Sequence, residues 1–399
     1  MRFRFFSVVL LTLAAASSAS GQVVVDGVVR NSYDNFGTVG SATVTGGWLR
    51  NNSGGTVDTA TVSGGGIVNY DTVNSATVND KGVFSNDGGT VDTATVTGGW
   101  LRNRSGGTVD SATVSGGAFV NYDTVNSATV NDKGVFSNDG GTVDSATVSG
   151  GAFVNYDTVN SATVNDKGVF SNDGGTVDTA TVTGGWLRNR SGGTVDTATV
   201  NGGGIINYDT VNSATVNDGA FVNHGTANTA SLFGGSYVGS GYTGDLYVGE
   251  GGTLNTGIYT GLIRDLSFDT NGGGLLTISG ASFADFDMVN IEGKANLNGA
   301  NVQLSFLSSS MLEPDFRIDL ATVFNFTEDN AGFLDENWWE EIAYVGAAQG
   351  TEYVALYNLG EGWFGFQEAI LSSTPEPATM LILALGLVGL GLARRRRKK

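Results

Sequence analysis

The sequence predicts an all-β chain dominated by a parallel β-solenoid, a β-helix of 16–18-residue rungs, closed by a C-terminal β cap and followed by a short C-terminal transmembrane helix. Three observations predict it. The tetrapeptide Ser/Thr-Ala-Thr-Val recurs with its valine at 44, 62, 78, 96, 114, 130, 148, 164, 182, 200 and 216, and a degenerate copy ends at Leu232. Successive valines stand 16 or 18 residues apart, the signature of stacked supersecondary units. Within each unit, Thr- and Val-rich segments alternate with period two between clusters of Gly, Asn and Asp, which is strand-and-turn chemistry and not helix chemistry. Residues 114–147 match 148–181 except for Ser145 in place of Thr179, so a two-rung block has been duplicated.

In chain order, residues 1–21 place Arg2 and Arg4 before the apolar run Phe5–Ala16 and then Ser17-Ser18-Ala19. This is the charged, apolar, small-residue order of a secretory signal peptide. Residues 22–232 hold the repeat. Each rung offers three short segments, Thr-Val-Asp/Asn, Ala-Thr-Val and apolar-x-Asn, and stacking the rungs buries their apolar rows continuously at about 4.8 Å per rung. Five residues beyond the repeat valine stands Leu49, Ile67, Val83, Leu101, Phe119, Val135, Phe153, Val169, Leu187, Ile205 or Phe221, which is the expected interior row. Seven residues beyond it stands an Asn (51, 69, 103, 121, 155, 189, 207, 223), interrupted by Ser85, Ser137 and Ser171. A stacked amide ladder at that corner would satisfy turn backbone and pin the register. It also makes glycosylation a poor reading of Asn51-Asn52-Ser53, Asn103-Arg104-Ser105 and Asn189-Arg190-Ser191.

The position after the expected interior residue reads Arg50, Val68, Phe84, Arg102, Val120, Phe136, Val154, Phe170, Arg188, Ile206 and Val222, apolar in eight of eleven rungs. A continuous apolar stripe marks a contact surface, here for self-association or a ligand. Trp48, Trp100 and Trp186 precede the interior row on the outward side, each with Arg50, Arg102 or Arg188 two residues on. They are candidate contacts for an extracellular polysaccharide, the aromatics for sugar rings and the cations for acidic sugars. Residues 233–305 lose the strict spacing and keep strand-turn alternation, an irregular continuation. Residues 306–373, with Trp338, Trp339, Trp363, Phe364 and Phe366, are expected to form a β-rich cap that covers the last strand edge.

Composition excludes most chemistry. The 399 residues include no Cys and one His, so thiolate nucleophiles, Cys-ligated zinc and multi-His metal sites are out, and a Ser-His-Asp triad could form only around His224. A net charge of -19 opposes nucleic-acid binding, which draws its affinity from Lys and Arg. The acidic group Asp335, Glu336, Glu340 and Glu341 offers paired carboxylates, but glycoside cleavage needs them across a cleft, and rungs almost free of insertions build none. No enzyme and no cofactor is expected. Asn86-Asp87-Gly88-Gly89 and its copies resemble calcium turns without the nine-residue repeat pattern, so Ca²⁺ stays a minor alternative to solvated turns.

The tail completes the reading. Pro375-Glu376-Pro377 precedes the apolar run Ala378–Ala393 and then Arg394, Arg395, Arg396, Arg397, Lys398 and Lys399. That run is shorter than the ~20 residues of a full span, and the cations favour the cytoplasmic side. Residues 374–399 therefore resemble the PEP-CTERM sorting signal of Gram-negative bacteria. The resemblance implies recognition by an exosortase-type enzyme, a transient inner-membrane intermediate, and delivery to the cell surface or the biofilm matrix. The repeat itself is similar in cadence to the Gly-rich repeats of autotransporter passengers and adhesins. Together these imply a non-enzymatic structural or adhesive protein, with polysaccharide binding or cleavage as the alternative.

Overall fold

A computed structural model describes residues 27–29 and 31–269. It also describes 274–282, 285–286, 289–292, 295–296, 301–306, 316–319, 324–326, 343–344, 353–358 and 363–368. The chain is an all-β parallel solenoid of about 14 turns with rungs of roughly 17 residues. Among the described residues no helix is long and apolar enough to cross a membrane; the expected signal peptide and sorting helix lie outside them. Two compact units result, one running to Ala180 and including Gly184–Leu187, the other taking Thr181–Thr183 and everything from Arg188.

In the first unit each rung contributes a long strand and a short one, such as Thr56–Val62 with Gly66–Asn69. Like strands pair in parallel from rung to rung: Val57 lies opposite Val73, Ala60 opposite Ala76 and Val62 opposite Val78. The first two predicted segments are thus one seven-residue strand, bent without a turn. Asp58 is skipped in the pairing, and it and Thr59 both face outward between the buried Val57 and Ala60. At this bend Asn donates to the Asp of the preceding rung, as Asn74 does to Asp58 (3.1 Å), Asn126 to Asp110 (2.9 Å) and Asn160 to Asp144 (2.9 Å). Interleaving Asn with Asp relieves the repulsion that stacked like charges would create.

The interior row differs from the sequence expectation in three rungs. Phe84, Phe136 and Phe170 are fully buried, whereas Val135 is 41 % exposed and Val83 and Val169 are only half-buried. Pairing confirms the shift, with Leu101 opposite Phe84, Phe119 opposite Phe136 and Phe153 opposite Phe170. The cause is a turn one residue longer, Asn79-Asp80-Lys81-Gly82. There Asp80 takes a left-handed φ of 49° and the Gly82 amide donates to the Asn79 carbonyl at 2.9 Å. Gly82 is required because a Cβ would stand 2.3 Å from the Val62 carbonyl oxygen. The following turn is one residue shorter than in the Trp100 rung, so the 18-residue spacing hides the shift. Phe119, Phe136, Phe153 and Phe170 consequently form a column with centroids 4.6, 4.6 and 4.8 Å apart.

The same shift makes the amide ladder continuous. Asn86, Asn138 and Asn172 fill the places expected for Ser85, Ser137 and Ser171, and every ladder Asn from 51 to 223 is fully buried. Nδ2 donates to Oδ1 of the next from Asn35 through to Asn172, 2.7 Å from Asn35 to Asn51 and 2.9 Å from Asn103 to Asn121, and again from Asn189 through Asn207 to Asn223. Asn103 also donates to the Gly107 and Thr124 carbonyls, both at 2.9 Å. With these carboxamides spent, Asn51, Asn103 and Asn189 offer nothing to a glycosyl donor.

In the second unit Thr194–Asn207 and Thr210–Asn223 are continuous 14-residue strands with register shifts near Asn201. The ladder stops at Asn223, opposite Gly239. Asn223 Nδ2 turns instead to the Tyr237 hydroxyl at 3.1 Å and the Tyr242 carbonyl at 2.9 Å, and the Tyr237 ring packs edge-on against Phe221 at 5.2 Å. Parallel pairing continues beyond the strict repeat, through Tyr242–Val248 with Leu262–Phe268 and Leu275–Ser282 with Asn301–Phe306. A separate antiparallel sheet has Trp363–Glu368 between Phe316–Asp319 and Tyr353–Asn358, inside the segment expected to be the β-rich cap.

Candidate functional site: an aromatic and cationic groove on the short-strand face

Alternation along each short strand sends the apolar residue and the ladder Asn inward, and the residues before, between and after them outward. In the rung Trp100–Arg104 the burial runs outward, inward, outward, inward, outward for Trp100, Leu101, Arg102, Asn103 and Arg104. Trp48, Trp100 and Trp186 are 45, 49 and 37 % exposed. The first two share one column through Gly66 and Val83. The Trp186 amide donates to the Gly168 carbonyl at 3.0 Å, as Trp100 does to Gly82 at 2.9 Å, which sets it at the same rung position. Trp48 lies across Gly66, where a Cβ would stand 2.2 Å from the indole ring. Arg50 and Arg102 are exposed and Arg188 is half-buried.

A groove of about 450 Å³ opens on this face, lined by Trp100, Arg102, Arg104, Val120, Tyr122 and Asp139. Two of these were legible as candidates, Trp100 and Arg102. Arg104, Tyr122 and Asp139 were not: each directly follows a ladder Asn, and Asp139 joins the column of Arg104 and Tyr122 only once Asn138 takes its place in the ladder. Arg104 bridges back to Asp87 of the preceding rung, Nε to Oδ1 at 2.6 Å and Nη2 to Oδ2 at 3.0 Å. Ser85 Oγ adds a bond to Asp87 at 2.6 Å. Burial pushes the Asp87 carboxyl up, but the hydrogen bonds from Arg104 and Ser85 and the Arg104 charge outweigh it and hold it below the ordinary carboxylate range. The same pair raises Arg104. Asp87 is therefore committed to a cation of the chain at the turn considered for calcium. Among the described residues no three His, Cys, Asp or Glu side chains gather as a metal site.

The apolar stripe is corrected by the same register shift. Its column reads Arg50, Val68, Ser85, Arg102, Val120, Ser137, Val154, Ser171, Arg188, Ile206 and Val222, apolar in five of eleven rungs. Phe84, Phe136 and Phe170 move into the core, which removes the largest side chains from the surface expected to self-associate. Pro375, Glu376, Pro377 and Arg394, Arg395, Arg396 and Arg397 lie outside the described residues, as do Asp335, Glu336, Glu340 and Glu341.

Residues 373–398 match the family model described as the PEP-CTERM protein-sorting motif. No curated protein matches the chain.

Proposed function

From a chain that carries a PEP-CTERM sorting signal behind parallel β-solenoid repeats, we propose that the exported protein is a non-enzymatic structural or adhesive component of the cell surface or extracellular matrix. The sorting signal implies handling by an exosortase-type enzyme and passage through the membrane to the surface or exterior. The observation that carries the structural reading is the economy of the rungs. Through the strict repeat, short turns join each strand to the next and no insertion raises a wall beside the stack. Within the first unit a buried amide ladder and, over four rungs, a phenylalanine column resist slippage between rungs. Such a body is a spacer or a display surface, suited to holding a matrix together.

The test compares a deletion strain with one complemented by the wild-type chain. Loss of cell–matrix cohesion on deletion, with the chain-length distribution of the matrix polysaccharide unchanged, supports the reading. Shortening of that polysaccharide by the purified protein would establish cleavage and refute it.

A further inference from the structure

The repeat between residues 31 and 232 holds five arginines, Arg50, Arg102, Arg104, Arg188 and Arg190, and three tryptophans, and all eight fall in the three rungs that begin Trp-Leu-Arg-Asn. Tryptophans and arginines are thus concentrated in the same rungs of a protein whose net charge is -19. Within the groove the two arginines differ. Arg104 is tied to Asp87. Arg102 pairs in register with Ser85 on one side and Val120 on the other. No carboxylate meets it among the described residues, and its guanidinium is exposed.

The duplicated block explains the opposite wall. After Asp87 the next rung supplies Arg104, but after Asp139 the next rung supplies Tyr156, because the duplication brings no Trp-Leu-Arg-Asn rung between them. Asp139 accepts a bond from Ser137 and stays exposed at the groove. Trp100 and Tyr122, 49 and 46 % exposed, add aromatic surface to the groove lining.

We infer that this groove binds a uronate residue of an acidic polysaccharide. The planar fork of Arg102 matches a sugar carboxylate bidentately. The electron-rich face of an indole attracts the polarised C–H face of a pyranose ring. Asp139 and the Tyr122 hydroxyl accept and donate hydrogen bonds to ring hydroxyls. Along the same column Trp48 with Arg50 stands three rungs away, about 14 Å at 4.8 Å per rung, a second station for one extended chain. This goes beyond the structural role proposed above, since a protein that binds no sugar could still be sorted and hold the matrix by other contacts.

The probe is polygalacturonate in affinity electrophoresis of the mature protein, with fully methyl-esterified polymer and neutral dextran as controls. Wild type is expected to be retarded by the free acid alone, less so as salt rises. Arg102→Gln and Trp100→Ala should each weaken binding about ten- to a hundredfold with an unchanged unfolding midpoint. Arg50→Gln should weaken binding to the polymer while leaving that to trigalacturonate intact. Lys133→Gln, which removes a cation outside the groove, should change nothing. No retardation of wild type, equal retardation by the esterified polymer, an equal effect of Lys133→Gln, or equally effective competition by polyglutamate would each overturn the inference. The last would point to an acidic protein surface instead.

Discussion

Replacing Phe136 by Ala tests the register of the solenoid most directly, because its neighbour Val135 is the residue that constant spacing would put inside. Phe136 has no exposed surface and its ring lies 4.6 Å from both Phe119 and Phe153. A buried Phe→Ala change costs about 3–5 kcal/mol. The upper part of that range applies, because each adjacent ring also loses a contact of about 0.5–1.5 kcal/mol beyond area burial. Val135→Ala, at a 41 % exposed position, should cost less than about 1 kcal/mol. A stacked repeat couples each rung only to its neighbours, so the loss should stay local. Long repeat arrays depart from two-state unfolding, which makes native-state hydrogen exchange the better assay. Amides of Ala118–Asn121, Val135–Asn138 and Ala152–Asn155 should lose protection in Phe136→Ala, and those of Trp48–Asn51 should keep it. A larger loss in Val135→Ala than in Phe136→Ala would refute the register and with it the continuous ladder.

Asn103→Asp places a carboxylate in the fully buried ladder. Burial raises its folded-state pKa above the unfolded value, so the stability gap to wild type should be widest at neutral pH and shrink as pH falls toward 4, read from denaturant midpoints at pH 7 and 4. Asn103→Ala leaves Asn86 Nδ2 without its 2.8 Å acceptor and should cost about 1–3 kcal/mol for each group left unsatisfied at either pH. The depressed Asp87 carboxyl contributes stability above the unfolded pKa of about 3.9, and that contribution is lost as pH falls through the lower folded value. In Arg104→Ala the burial effect is no longer outweighed by the arginine, so an NMR titration should show the Asp87 midpoint moving up. For the tail, deleting Arg394 to Lys399 or changing Pro375 to Pro377 to Ala should trap the precursor in the membrane. Mass spectrometry of mature protein that still ends in Lys399 would contradict processing.

The periodic Ser/Thr-Ala-Thr-Val tetrapeptide by itself determined the solenoid, its parallel stacking and the inward valines and alanines, because a two-residue alternation repeated at a short interval has one efficient way to bury its apolar row. Residue order along the chain also put Trp and Arg together in the same rungs and marked the sorting signal, which is a matter of local order alone. It could not decide between Val83 and Phe84, two adjacent apolar residues, since a longer turn before them and a shorter one after them cancel in the 18-residue spacing. Only the pairing of strands resolves that choice, through the left-handed Asp80 and the close approach of Gly82 to the Val62 carbonyl. The places of Asn86, Asn138 and Asn172 in the ladder, and the groove, follow from it. The groove's six residues come from three successive rungs, and their columns align only when backbone hydrogen bonding, not sequence distance, sets which side chain faces solvent.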